Sequence, residues 1–317
     1  MSPATVALPA ARRATIAAVP QRPCAMPLSS SSRRALWYAH GAALLLGGTA
    51  LFPRLIALPA EQLVSLRTAI AALLLLSLAL ARRSSWAWLA GAGKRWLLLS
   101  GLLLGGHWWA YYEAIQRGGV GLAVVLVYSS PAMTVLLEAW LHRRWPARHS
   151  LLAATAVSLG VALVLLPRFG DQQPAPLAAG LALLAALLYA LRNLLVRERL
   201  AQAPGLGLAG TQFAVVALAG LPSLRGLHLD ASTWAWLLLF GSLFTALPHL
   251  ALLLALQRLP TSTVALVASL EVPYAVLLAW WLLQEPPGTT LLAGGLCILG
   301  AAWLASRHAG DDAAQGA

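Results

Sequence analysis

Between residues 35 and 306 the sequence is a near-continuous series of apolar spans separated by short loops, a pattern that only a helical membrane bundle can absorb. The spans fall at about 35–56, 62–81, 96–116, 121–141, 150–167, 176–196, 207–223, 233–256, 262–283 and 289–306. At about 1.5 Å rise per residue, a helix of about 20 residues crosses a hydrocarbon core of about 30 Å. Of the 317 residues, 60% are apolar and 10% are charged, with a mean hydropathy of +0.75, which excludes an ordinary soluble domain. The expected fold is therefore an all-α membrane protein with ten transmembrane helices. The loops leave no room for an extramembrane domain, so whatever the chain does happens inside the bundle.

The net charge of +12 does not point to nucleic acid, because the basic residues sit in short loops and serve topology. Seventeen of the 22 Lys and Arg residues fall on one side, including Arg33, Arg34, Arg82, Arg83, Arg143, Arg192, Arg197, Arg199 and Arg258. Arg54, Arg117, Arg168 and Arg225 fall on the other, and Arg67 lies within helix 2. Both termini are accordingly expected in the cytoplasm, with the protein multi-pass in the cell membrane. Residues 1–33, basic and without an acidic residue, read as a disordered cytoplasmic tail, and 308–317 as a C-terminal tail. Cys24 and Cys297 are too few and too far apart for a disulfide framework. Trp37, Trp86, Trp88, Trp96, Trp145, Trp234 and Trp236 fall near span ends as interfacial anchors.

The ninth span, from Thr261 to Glu285, carries Glu271 near its middle and Pro273 two residues on. A carboxylate at mid-membrane costs about 2.5–3.5 kcal/mol on insertion scales, so it faces a polar cavity or a partner. The proline removes a backbone donor and opens the helix beside it. The chain also repeats itself. AIQRGGVGLAV from Ala114 matches ALQRLPTSTVAL from Ala255 at an offset of 141, and SPAMTVLLEAWL from Ser130 matches VPYAVLLAWWLL from Val272 at an offset of 142. Pro131 thus corresponds to Pro273 as a second helix-opening position. A repeat unit of five helices, an odd number, enters the membrane in opposite orientations, as in secondary transporters.

In their order and spacing several segments resemble the EamA-like branch of the drug/metabolite transporter superfamily: SLRTAIAALLLL with Arg67, GGHWWAYYEAIQ, SSPAMTVLLEAW, FTALPHLALLLALQR and SLEVPYAVLLAWWLLQEPP. The resemblance implies two inverted five-helix repeats, here 34–168 and 175–307, and transport of small metabolites, often amino acids and their derivatives. Two positions depart from the family pattern: Arg143 replaces an acidic residue whose repeat counterpart Glu285 is kept, and Glu271-Val272-Pro273 replaces a Glu-Pro pair.

Besides Glu271, the candidate substrate- or proton-binding residues are His107, His249, Arg67, Glu113, Tyr111 and Trp108. The two histidines are mid-span and titrate near physiological pH, so they suit proton relay or interhelical hydrogen bonding. Arg67 either snorkels to water or grips a cargo carboxylate bidentately. Glu113 is expected at an outer vestibule, and Glu138 as partner of the basic cluster at His142 and Arg143. Trp108, Trp109, Tyr111 and Tyr112 surround His107 and either stack on cargo or pack. No HxxxH or HExxH spacing suggests a metal, and no GxxxxGK[ST] motif suggests a nucleotide. No cofactor is expected. The expected partners are a small-molecule substrate and the lipid bilayer, with a homodimer as the assembly to test. The expected function is a secondary transporter moving an amino acid or derivative, in the export direction, by alternating access. The rival from another class is a membrane enzyme acting on lipid, with a histidine and Glu271 as acid and base.

Overall fold

The computed structural model describes residues 30–143, 148–165, 175–259 and 261–315. Most of the expected N-terminal tail, the anchor at Trp145, Cys24 and Arg168 lie outside them. The described residues form helices α1 (Ser30–Thr49), α2 (Ala60–Ala81), α3 (Gly93–Gly118), α5 (Arg148–Leu165), α6 (Ala175–Arg199), α7 (Gly205–Gly220) and α10 (Thr289–Gln315). Three further helices are interrupted. α4 divides into Val120–Val127 and Ser130–Leu141, and α9 into Thr261–Ala268 and Glu271–Leu283. α8 runs Ala231–Gly241, passes through a π turn at Ser242–Ala246 and continues as Leu247–Leu256. Its start is fixed by Asp230, which caps Thr233 N–H at 3.3 Å. The hydroxyls of Ser232 and Thr233, followed by that backbone bond, hold the Asp230 carboxyl down at about 2.

Among the described residues six spans are long and apolar enough to cross a membrane: Arg33–Leu55, Ala60–Ala81, Val120–Leu141, Pro176–Arg199, Gly205–Leu224 and Ala231–Leu256. The apolar helices Thr155–Val164, Glu271–Leu283 and Thr289–Ala301 are shorter. α3 falls outside both groups despite its 26 residues, because Lys94, Arg95, His107, Glu113 and Arg117 interrupt its apolar character. The ten-span expectation is thus met in part: six spans among the described residues have the required length and apolarity, while α3 has the length without the apolarity.

The packing partners exchange in pairs when α1–α5 are swapped for α6–α10. α3 packs on α6 as α8 packs on α1; α4 packs on α6 as α9 packs on α1; α2 pairs with α7 and α5 with α10. Without water to drive apolar association, such contacts depend on close backbone approach at small residues. At the α5–α10 crossing, a Cβ on Gly160 would lie 2.7 Å from the Gly294 carbonyl, and one on Gly294 would lie 2.6 Å from that of Gly160. Gly47 similarly lets α1 approach α9, where a Cβ would meet the Glu271 carbonyl at 2.9 Å.

Candidate functional site

α4 and α9 break in the same way. Ser129 N–H bonds to Leu126 C=O and Leu270 N–H to Val267 C=O, each at 3.1 Å, a three-residue closure that ends the first half-helix. The second half then begins with a proline in its first turn, Pro131 or Pro273, where the missing donor costs little. The offset relating those prolines relates Ser129 to Glu271 and His107 to His249. Tyr128 O–H donates to the Ala268 carbonyl at 3.2 Å, joining one break to the other.

Beside the breaks lies a cavity of about 430 Å³, lined from both halves of the chain. The structure brings Glu271, His107, His249, Arg67, Tyr111, Trp108 and Pro131 together on its wall. Two candidates are not brought there. Glu113 pairs with Arg117 at 2.7 Å near the end of α3, and Pro273 lies two residues beyond Glu271. Glu138 pairs with Arg197 of α6 at 2.7 Å rather than with Arg143, because α4 packs its second half on α6.

Arg67 is only 2% exposed, so it does not snorkel. Its guanidinium stacks 4.2 Å from the Trp108 ring centroid and 4.9 Å from that of Tyr112, and Nη1 donates to Thr245 Oγ1 at 3.2 Å. The π turn aims Thr245 at it. Leu247 N–H reaches back five residues to Ser242 C=O, and Pro248, lacking an N–H, follows at once. Among the described residues Arg67 Nε and Nη2 have no hydrogen-bond partner. These two donors form the side-on fork that a carboxylate accepts in parallel. Aromatic faces cover the guanidinium plane while leaving that edge unused.

His107 Nδ1 lies 2.9 Å from Ala185 C=O on α6, and His249 Nδ1 lies 2.7 Å from Thr245 C=O. Carbonyls only accept, so both imidazoles carry N–H at Nδ1, leaving Nε2 as the remaining site on each ring. Among the described residues the Glu271 carboxylate has no hydrogen-bond or ion-pair partner. It stands in the first turn of a half-helix, whose exposed N–H groups favour negative charge.

Arg192, Gln212, Ser100 and Thr245 are candidate site residues that the sequence pattern alone does not mark. In the sequence Arg192 reads as a loop charge, yet it lines the cavity from α6. Its Nη1 donates to Asn193 Oδ1 at 3.0 Å and its Nη2 to Gln212 Oε1, while Gln212 donates to Ser100 Oγ at 2.8 Å. The available signal was a guanidinium and an amide inside apolar runs, LLYALRNLLV and GTQFAVVALAG.

The model of the EamA-like transporter family matches residues 33–166 and again 176–307. The chain belongs to this family of membrane transporters and is a multi-pass membrane protein with the family's two-repeat architecture. A solved structure titled only as the crystal structure of a protein shares the fold, with a TM-score of 0.60 and 21% identity over 87% of this chain and 98% of its own. No curated protein sequence matches.

Proposed function

We propose that the protein is a secondary transporter that carries an amino acid or a close derivative across the cell membrane by alternating access, in the export direction. Ten spans in two inverted repeats, with both termini cytoplasmic, follow from the odd repeat unit and the distribution of basic residues. The observation that carries the reading is one cavity of about 430 Å³ between the repeats, holding a carboxylate and a guanidinium fork that have no partner among the described residues. That combination suits a dipolar cargo: carboxylate on Arg67, ammonium on Glu271, and apolar portion against Trp108 and Tyr111. The proline-terminated breaks supply the points at which each repeat bends.

The test is uptake and counterflow of radiolabelled amino acids in liposomes containing the purified protein, with and without a pH gradient. Saturable exchange that disappears in Glu271→Ala supports the reading; no exchange of any amino acid overturns it. Single cysteines at position 173 and at the C-terminus test the orientation, and cytoplasmic labelling of position 173 contradicts it.

A further inference from the structure

We infer that Arg192 is a second anion-binding residue of the cavity, and that the cargo is net-anionic, with one acid group for each arginine and a cationic group for Glu271. This rests on the transport reading and narrows its substrate class.

Three observations lead there. Arg192 sits two turns inside the end of α6, and its two terminal nitrogens are committed to Asn193 and Gln212, neutral groups that orient the guanidinium without cancelling its charge. Gln212, fully buried, is itself fixed by Ser100, so the arrangement is rigid from α3 through α7 to α6. Arg192 Nε is buried with no hydrogen-bond partner among the described residues, as are Arg67 Nε and Nη2.

The charge balance follows. Among the described residues no carboxylate pairs with either arginine, and Glu271 is the one carboxylate on the cavity wall. Two guanidinium groups and one carboxylate leave the wall with an excess positive charge. An uncompensated charge removed from water is strongly unfavourable, so the occupant that fits best supplies the missing anion. Arg67 enters from α2 and Arg192 from α6, in different repeats, so a single carboxylate on Arg67 leaves Arg192 unanswered. An acidic amino acid answers both, and its ammonium has Glu271 and the free Nε2 atoms of His107 and His249 as acceptors.

Calorimetric titration of the full-length protein in detergent with L-glutamate, O-phospho-L-serine and L-glutamine tests this. The expected result is about tenfold or tighter binding of at least one acidic probe over glutamine, since a charge-assisted hydrogen bond contributes roughly that factor. The tighter acidic probe tells whether the second acid is a carboxylate or a phosphate. Arg192→Gln brings the ratio to within about twofold, and Arg192→Lys, which keeps the charge, retains part of it. Equal affinity for acidic and neutral probes in the wild type, or an unchanged ratio in a folded Arg192→Gln protein, overturns the inference. Liposome flux separates the two readings. Exchange of neutral and acidic amino acids without preference leaves transport standing and removes this inference, whereas acid-selective binding without flux of any amino acid supports it and removes transport.

Discussion

The two halves of the bundle build the same hydrogen bond from different chemistry. Arg67 of α2 donates to Thr245 of α8, and Gln212 of α7 donates to Ser100 of α3. Each bond runs from the second helix of one repeat to the third helix of the other, so the exchange that relates the helices also relates the two bonds. At the broken helices the contrast is reversed, with uncharged Ser129 in the first half and Glu271 in the second. The scaffold is thus symmetric while the charges are not: within the paired positions the cation belongs to the first repeat and the carboxylate to the second. Under the proposed function, such polarity is what would orient a dipolar cargo, and the matched scaffold is what would let either repeat move against the other.

The largest expected effect comes from breaking the first contrast. Arg67→Ala removes two parallel charge-assisted bonds, and should lower cargo affinity about a hundredfold or more, read by calorimetry. Arg67→Lys keeps a charge without the fork and should recover only part of it. The symmetry-related Gln212→Ala removes a neutral donor and should cost about tenfold at most.

Glu271→Gln sharpens the second contrast. If the carboxylate holds a cargo ammonium, binding is lost at every pH; if it carries protons, exchange persists while the response to a pH gradient disappears. Ser129→Ala, at the corresponding position, should leave both within about twofold.

The symmetric scaffold makes its own prediction. Gly160 and Gly294 each face the other's carbonyl, so Gly160→Ala and Gly294→Ala should destabilise by similar amounts, about 1–3 kcal/mol from overpacking. Thermal unfolding in detergent reads this, with Gly288→Ala, which meets open space, as the reference. Unequal losses would mean the α5–α10 crossing is not shared evenly.

The smallest effect is expected at Glu285, which pairs with half-exposed Arg54 at 3.1 Å and accepts Val120 N–H at 2.9 Å, whereas its counterpart Arg143 is exposed with no such role. Glu285→Gln keeps an acceptor and loses a solvent-screened ion pair, so its cost should stay below about 1 kcal/mol in the same assay.

What the sequence made legible follows from how local each signal is. Apolar length marked the membrane spans, and Pro131 and Pro273 marked both breaks, because proline acts on its own helix. Glu271, Arg67, His107 and His249 stood out because polar groups are rare inside apolar runs. Arg192 was hidden by its neighbours: near Arg197 and Arg199 it read as one more topological charge, and only the packing of α6 on α3 and α7 turns it inward. Glu113 stands out in the same way as Glu271, and the structure pairs it with Arg117 one turn later on its own helix. Thr245 was invisible because the π turn that aims it is a register shift no residue type announces.

The central claim is that Arg67 and Glu271 hold opposite ends of one cargo, and a double-mutant cycle tests it most directly. Affinity for the tightest-binding amino acid probe is measured in wild type, Arg67→Gln, Glu271→Gln and the double variant. A shared cargo predicts that the two losses do not add, with a coupling of about 0.5–3 kcal/mol. Losses that add to within about 0.5 kcal/mol would contradict it, since the two residues would then act on separate things.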